Sequence, residues 1–127
     1  MAGGDNYDFA VRDGVLMTAS GKGIVAYPAA RPGIRYDVPD GVTGIARYAF
    51  SGSGLMIVSL PTSLHSISDY AFSNCTRLMY IGIPAEMHYM AEQGVFEGDD
   101  QLQEVYYTGT WEQWRHMTQP CFRLLPA

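Results

Sequence analysis

Apolar and polar positions in the middle of the chain follow one pattern three times. Residues 36–50 and 58–72 share their order of apolar, polar, proline and aromatic positions, and residues 81–96 form a looser third copy. Equivalent prolines are 22 and 23 residues apart and equivalent phenylalanines 22 and 24 residues apart: Pro39, Pro61 and Pro84, and Phe50, Phe72 and Phe96. The chain therefore contains an internal repeat with a period of 22 to 24 residues.

Each copy begins with a short strand in which alternate residues are apolar, so that these side chains face one side. The predicted inward positions are Tyr36, Val38, Val58, Leu60, Ile81, Ile83, Val105 and Tyr107. A proline then ends the strand, because it has no N–H to donate. Later in the first two copies, a Tyr-Ala-Phe segment is expected to form a short helical turn. Ser68 is a predicted N-cap of that turn, and Asp69 lies in it.

A repeat of this length with one short strand per copy predicts a leucine-rich-repeat solenoid of the α/β type. One copy cannot bury its apolar face alone, so the copies stack and their strands form a short parallel sheet of about four strands. The length of 127 residues suits a single domain, residues 1–127. We assign the three repeats to residues 34–107.

Both ends of this stack are predicted to carry caps, because an uncovered sheet edge promotes self-association. Residues 9–33 contain three short apolar segments separated by turn residues, a pattern typical of an N-terminal β-hairpin cap. At the other end, Thr110 and Gln113 form a capping-box pattern in a C-terminal capping helix, residues 108–117. The residues expected on one face of this helix are Trp111, Trp114 and Met117. Residues 118–127 are predicted to be a tail.

Composition and charge exclude several classes of partner. The net charge is −5, so a general nucleic-acid or anionic-membrane surface is disfavoured. No apolar run approaches the roughly 18 to 20 residues that a membrane span needs. The first residues lack the features of a signal peptide, so the protein is either cytoplasmic or has had such a peptide removed. Two cysteines, Cys75 and Cys121, allow one disulfide at most.

No catalytic motif is present, and we expect no catalytic residue, metal site or cofactor. His65 and His88 occupy equivalent positions and should lie about 5 Å apart on neighbouring coils. Two imidazoles at that distance can hold a metal or titrate as a pair, but the equivalent residue in the first repeat is Thr43 and supplies no third ligand. An exposed, unliganded pair is the favoured interpretation.

The bend after each phenylalanine contains one small or polar residue at an equivalent position, namely Ser53, Cys75 or Asp99. We expect Cys75 to be a buried structural thiol. An acidic group at the last bend consists of Glu97, Asp99, Asp100 and Glu104. A solvated bend is favoured there over a calcium site.

The outward strand positions form columns across the sheet, and two of these columns carry large apolar residues. The predicted partner-binding residues are Met56, Ile57, Met79, Tyr80 and Tyr106. A contiguous apolar patch of this kind is typical of a partner site. The alternatives are that an adjoining segment, a dimer partner or the C-terminal tail covers it.

Residues 67–78, followed by residues 81–84, closely resemble the BspA-like leucine-rich-repeat family. Similarity extends over residues 9–117, with a one-residue deletion in 51–55 and a degenerate third repeat. The resemblance implies a secreted or cell-surface bacterial protein, often from a host-associated organism. It also implies adhesion to host or bacterial surface proteins, and hence a non-enzymatic module that binds a protein through its outward sheet face.

Two other functions remain as alternatives at this point. Carbohydrate recognition would use Tyr80, Tyr106 and Tyr107 as stacking platforms. A small metal-dependent enzyme would be built around the pair of His65 and His88. Self-association through the sheet face is a further alternative to binding a different protein.

Overall fold

The computed structural model describes residues 9–91 and 93–118. These residues form ten short strands and one helix. The strands are β1 Phe9–Arg12, β2 Val15–Thr18, β3 Gly23–Ala26, β4 Arg35–Asp37, β5 Gly44–Ile45, β6 Ile57–Ser59, β7 Ser66–Ile67, β8 Tyr80–Ile83, β9 Tyr89–Met90 and β10 Glu104–Tyr107, and the helix is α1 Trp111–Thr118.

The strands build two sheets rather than one. The four-stranded sheet has the order β10-β8-β6-β4, and all its neighbours are parallel. The six-stranded sheet has the order β1-β2-β3-β5-β7-β9, in which β3, β5, β7 and β9 are parallel and β1 and β2 are antiparallel. The prediction of one sheet in an α/β-type fold is therefore corrected to a mostly β solenoid in the described residues.

The sequence pattern missed the second sheet because its repeat strands are very short. Strands β5, β7 and β9 have two residues each. A two-residue strand carries one inward and one outward side chain, which is too little for a recognisable alternation. Neighbouring coils form these strands through backbone hydrogen bonds, such as the one from the His65 N–H to the Thr43 carbonyl at 2.9 Å.

The core lies between the two sheets and contains a column of stacked rings. Phe50 and Phe72 are both fully buried, and their ring centroids are 4.7 Å apart. Phe96 stacks on Phe72 at 5.7 Å and Tyr27 stacks on Phe50 at 5.1 Å, so the column continues to either side. The three equivalent phenylalanines therefore form one stacked column. Further apolar residues of the repeats are buried around this column, namely Val42, Leu64, Met87, Ile45, Ile67 and Met90.

The prediction of a short helical turn at each Tyr-Ala-Phe segment is wrong. Tyr48 and Tyr70 have φ angles of 61° and 57°, which lie in the left-handed region that a right-handed helix excludes. The reason is hydrogen bonding between repeats, since the Tyr48 N–H donates to the Asp69 carbonyl and the Tyr70 N–H to the Gln93 carbonyl. Ser68 therefore caps no helix. Gly94, with a φ of 52°, takes the equivalent position in the third repeat.

At the N-terminal end, β1 and β2 form a hairpin around Asp13 and Gly14, both with positive φ. Two central residues of this kind match the favoured two-residue hairpin turn. Arg31 holds this turn in place, because its guanidinium forms an ion pair with Asp13 at 2.9 Å and donates to the Tyr27 hydroxyl. The hairpin thereby extends the six-stranded sheet beyond the first repeat.

At the C-terminal end, α1 follows β10. Thr110 and Gln113 exchange the two reciprocal hydrogen bonds of a capping box, at 2.8 and 3.1 Å. Trp114 is buried and its ring lies 5.2 Å from that of Tyr107, but Trp111 is 57% exposed and does not share this face as predicted. The side chain of Met117 and the predicted tail from residue 119 onward lie outside the described residues.

Candidate functional site

Successive side chains on each strand of the four-stranded sheet point alternately to the core and to the outer face, and this alternation determines which residues lie on the outer face. Val58 and Ile81 point inward and are buried, so Ile57 and Tyr80 face outward on β6 and β8. The two outward residues are direct register partners, and Tyr80 is in turn the register partner of Glu104 on β10. The structure therefore brings Ile57 and Tyr80 together as the sequence predicted.

Two methionines lie beside this pair, each one residue before its strand. The Met56 carbonyl accepts hydrogen bonds from the N–H groups of both Met79 and Tyr80, at 2.9 and 3.1 Å. This shared acceptor fixes the relative position of the two coils at the patch. We call Met56, Ile57, Met79 and Tyr80 the central patch. All four side chains are half-buried rather than fully exposed, so the apolar surface is smaller than the sequence predicted.

Tyr106 lies on the same sheet but is separated from the central patch by Gly82, its register partner on β8. A Cβ atom added at Gly82 would find no atom within 4 Å, so the surface above this glycine is open. Tyr106 is 64% exposed at its edge. The predicted fifth residue thus lies beyond an open stretch of surface at Gly82 instead of extending the central patch directly.

Charged residues mark the two ends of the column that contains Ile57 and Tyr80. Arg35 lies at the β4 end and forms an exposed ion pair with Asp37 at 3.2 Å. Glu104 is exposed at the β10 end. An apolar centre with a charged, solvated margin is the usual composition of a protein interface.

The outer face of the six-stranded sheet has a different chemistry. Its outward strand positions are Gly44, Ser66 and Tyr89, which are register partners in turn. His65 and His88 precede β7 and β9, are exposed, and have ring centroids 5.5 Å apart. The predicted neighbourhood of the two histidines is confirmed. Among the described residues, no group of three histidine, cysteine or acidic side chains is placed to hold a metal ion.

The equivalent bend residues Ser53, Cys75 and Asp99 form a column that contains the two titratable groups with the largest pKa shifts. Cys75 is buried, as predicted, with its thiol 3.1 Å from the Phe50 carbonyl oxygen. Burial raises the pKa of the Cys75 thiol to about 11, which keeps it protonated and unreactive at neutral pH. The predicted role of this cysteine as a structural thiol is consistent with that environment.

Asp99 is buried, so its predicted place in a solvated acidic bend is wrong. One carboxyl oxygen accepts a 2.7 Å hydrogen bond from the Cys75 N–H, and the other has no partner among the described residues. Burial raises the pKa of Asp99 to about 8. The signal that indicates burial is its alignment with Ser53 and Cys75, both of which are also buried.

The tyrosines proposed as carbohydrate platforms are not equally available. Tyr107 is half-buried and packs against Trp114, with burial raising the pKa of its hydroxyl. Of the three predicted platforms, Tyr106 is the most exposed. A second pair, Tyr48 and Tyr70, stacks at 5.1 Å on the turns, but each ring covers a face of the other. The repeat pattern did not predict this stack.

Comparison of the sequence with known families gives one match. The family described as BspA type leucine rich repeat region (6 copies) matches residues 34–123. This range covers all three repeats and both sheets of the described structure apart from the strands β1, β2 and β3. No curated protein matches this chain at a significant level.

Three solved structures share the fold. A leucine-rich repeat protein from Eubacterium ventriosum is 21% identical over 79% of this chain, with a TM-score of 0.75. The pneumococcal vaccine antigen PcpA is 22% identical over 79% of this chain, with a TM-score of 0.59. A leucine rich cell surface protein from Faecalibacterium prausnitzii is 22% identical over 87%, with a TM-score of 0.50. The chain spans 27%, 30% and 42% of their respective lengths.

Proposed function

The chain belongs to the BspA-type leucine-rich-repeat family. We propose that it is a non-enzymatic module that binds a protein through the outer face of its four-stranded sheet. The observation that carries the proposal is the central patch. It places two large apolar side chains in direct register and two methionines beside them, on coils joined by a shared backbone acceptor.

Several features of the central patch suit protein recognition. Tyrosine is a favoured interface anchor, because its ring contributes a large contact area and its hydroxyl remains available for hydrogen bonding. Methionine adapts to irregular partner surfaces because its side chain is flexible and polarisable. The backbone that carries Met79 and Tyr80 is already ordered, so binding does not have to order it. Opposite charges at Arg35 and Glu104 would orient the partner.

The partner is proposed to be a host or bacterial surface protein, and the site of action the cell surface or its surroundings. The support is that one structural neighbour is a leucine rich cell surface protein and another is a pneumococcal vaccine antigen. Within the described residues, no helix is both long and apolar enough to cross a membrane.

The hairpin of β1 and β2 and the helix α1 are proposed to close the two ends of the solenoid. The hairpin continues one sheet, and the buried Trp114 of α1 packs against Tyr107 of β10. Such closure would keep the sheet edges from pairing with other chains, which leaves the outer faces as the surfaces for specific binding.

The experiment is a pair of photo-crosslinking variants that differ only in which sheet carries the probe. A benzophenone amino acid replaces Tyr80 on the four-stranded sheet or Tyr89 on the six-stranded sheet, where Tyr89 is 55% exposed. Each purified variant is irradiated on intact epithelial cells and on bacterial cells. We expect a discrete crosslinked protein from position 80 and none of the same mass from position 89.

Three other results would indicate a different kind of partner or a different binding face. A crosslink between two copies of this chain from position 80 would identify self-association. Loss of cell binding in the presence of soluble glycans, without any protein crosslink, would favour carbohydrate recognition through Tyr106. Equal labelling from positions 80 and 89 would contradict a specific role for the four-stranded sheet.

A further inference from the structure

His65 and His88 are held side by side on the outer face of the six-stranded sheet. The His88 N–H donates to the His65 carbonyl at 3.0 Å, and the next residues, Ser66 and Tyr89, are register partners on β7 and β9. Both imidazoles are exposed, with a centroid separation of 5.5 Å and an interplanar angle of 36°. The parallel ladder, rather than contact between the rings, sets this spacing.

The separation of the two ring centroids matches the separation expected for two imidazoles that bind the same metal ion. A histidine nitrogen binds zinc at about 2.0 to 2.1 Å, which places the ring centroid roughly 3.2 Å from the ion. Two such rings at ligand angles of about 90 to 120° have centroids roughly 4.5 to 5.5 Å apart. The observed separation lies at the upper end of this range.

Both rings are also available for coordination. No described side chain holds the imidazole of His65 or His88 in a hydrogen bond or an ion pair. Imidazole nitrogen is a preferred ligand of copper, nickel and zinc. A chelate on a preformed backbone loses less conformational freedom on binding than two histidines on a flexible loop.

We propose that His65 and His88 form a two-imidazole site for a divalent transition metal, namely Cu²⁺, Ni²⁺ or Zn²⁺. The absence of a third histidine, cysteine or acidic ligand among the described residues means that water or groups of a bound molecule complete the coordination. The site therefore differs from a closed structural zinc site, in which the protein supplies four ligands. It bridges the second and third repeats, so occupancy stabilises their stacking.

This site is independent of the proposed function, because it lies on the other sheet from the central patch. His116 provides a matched control, since it is an exposed histidine on α1 and the third histidine of the chain. Cys121 is replaced by serine in every protein used, because a thiol is itself a metal ligand. The variants compared in that background are His65→Ala, His88→Ala, His116→Ala and the double variant of His65 and His88.

The first measurement is calorimetric titration of the whole chain with Ni²⁺. We expect one Ni²⁺ per chain and at least a tenfold loss of affinity in each single variant at the pair. The double variant should bind no more tightly than either single variant, and His116→Ala should bind as the parent does. Thermal melting without metal should be unchanged in all variants, because the replaced side chains are exposed.

The second measurement is the electron paramagnetic resonance spectrum of the bound Cu²⁺. We expect superhyperfine coupling to two imidazole nitrogens in the parent and to one in each single variant of the pair. Retention of Ni²⁺ affinity in the double variant would overturn the proposal. An equal loss of affinity in His116→Ala, or coupling to a single imidazole in the parent, would overturn it as well.

Discussion

The two sheets bury similar side chains but differ in what they present to solvent. Inward residues such as Val58 of the four-stranded sheet and Ile67 of the six-stranded sheet are both fully packed. Outward, the first sheet carries Ile57 and Tyr80, whereas the equivalent positions of the second carry Gly44 and Ser66. Stacking of the repeats determines the interior, so the outer faces are free to differ, and the proposed binding surface is the face that carries the larger apolar side chains.

Strand length adds to this difference. Strands of the four-stranded sheet have three or four residues, and each has two outward positions. The repeat strands of the six-stranded sheet have two residues and one outward position each. The four-stranded sheet therefore offers the wider surface, which suits a macromolecular partner, and the six-stranded sheet offers a narrower one, which suits a small ligand.

The largest expected effect tests the core that both sheets share. Phe72→Ala removes a fully buried ring from the middle of the ring column, and we expect a loss of about 3 to 5 kcal/mol in the free energy of unfolding. Phe96→Ala is the matched control, because Phe96 is only partly buried and should cost less. Chemical denaturation measures both, and an equal or larger cost at Phe96 would contradict the packing described.

The next effect concerns the buried carboxyl at the last bend. Asp99 has a pKa raised from 3.8 to about 8 in the folded chain, so the folded state holds a proton that the unfolded state releases near pH 4. The free energy of unfolding should therefore fall as the pH rises from about 4 to about 8, and then level off. We expect a change of about 2 to 4 kcal/mol.

Denaturation curves at several pH values measure this dependence. Asp99→Asn should remove most of the slope. Asp100→Asn at the exposed neighbouring position should retain most of it, because burial raises the pKa of Asp99 more than the charge of Asp100 does. A pH dependence that is the same in Asp99→Asn and in the parent would show that the carboxyl is solvated.

A smaller effect tests the turns that join the two sheets. Gly94 and Gly52 both have a positive φ, but a Cβ at Gly94 would clash with the Tyr70 ring, whereas one at Gly52 would meet no atom within 4 Å. Gly52→Ala should cost about 1 to 2 kcal/mol from backbone strain alone. Gly94→Ala should cost roughly 1 kcal/mol more, because the ring must also move. Equal melting temperatures for the two variants would contradict the contact between Tyr70 and residue 94.

Some of these features could be predicted from the sequence and others could not, for physical reasons. The inward positions follow from the repeat because every copy must bury the same face. The left-handed turns at Tyr48 and Tyr70 do not follow from the repeat, because tyrosine seldom adopts a positive φ. Hydrogen bonds to the next coil decide the conformation of these two residues. The register of the central patch was predictable from the repeat spacing. The partial burial of the central patch was not predictable, because exposure depends on neighbouring side chains that the repeat pattern does not specify.

We expect Tyr80→Lys to have the smallest effect on stability and the largest effect on binding. Tyr80→Lys places an ammonium group beside its register partner Glu104, so the sheet should tolerate the change with a shift of only a few degrees in melting temperature. The matched control is Tyr89→Lys, on the six-stranded sheet.

The most direct test of binding through the four-stranded sheet is the affinity of these two variants for the protein crosslinked through position 80, measured beside their melting curves. We expect Tyr80→Lys to remain folded and to lose at least tenfold in affinity, because a charge then occupies the centre of an apolar contact. Tyr89→Lys should bind as the parent does. A folded Tyr80→Lys protein with unchanged affinity, or a Tyr89→Lys protein with the larger loss, would contradict the assignment of binding to the four-stranded sheet.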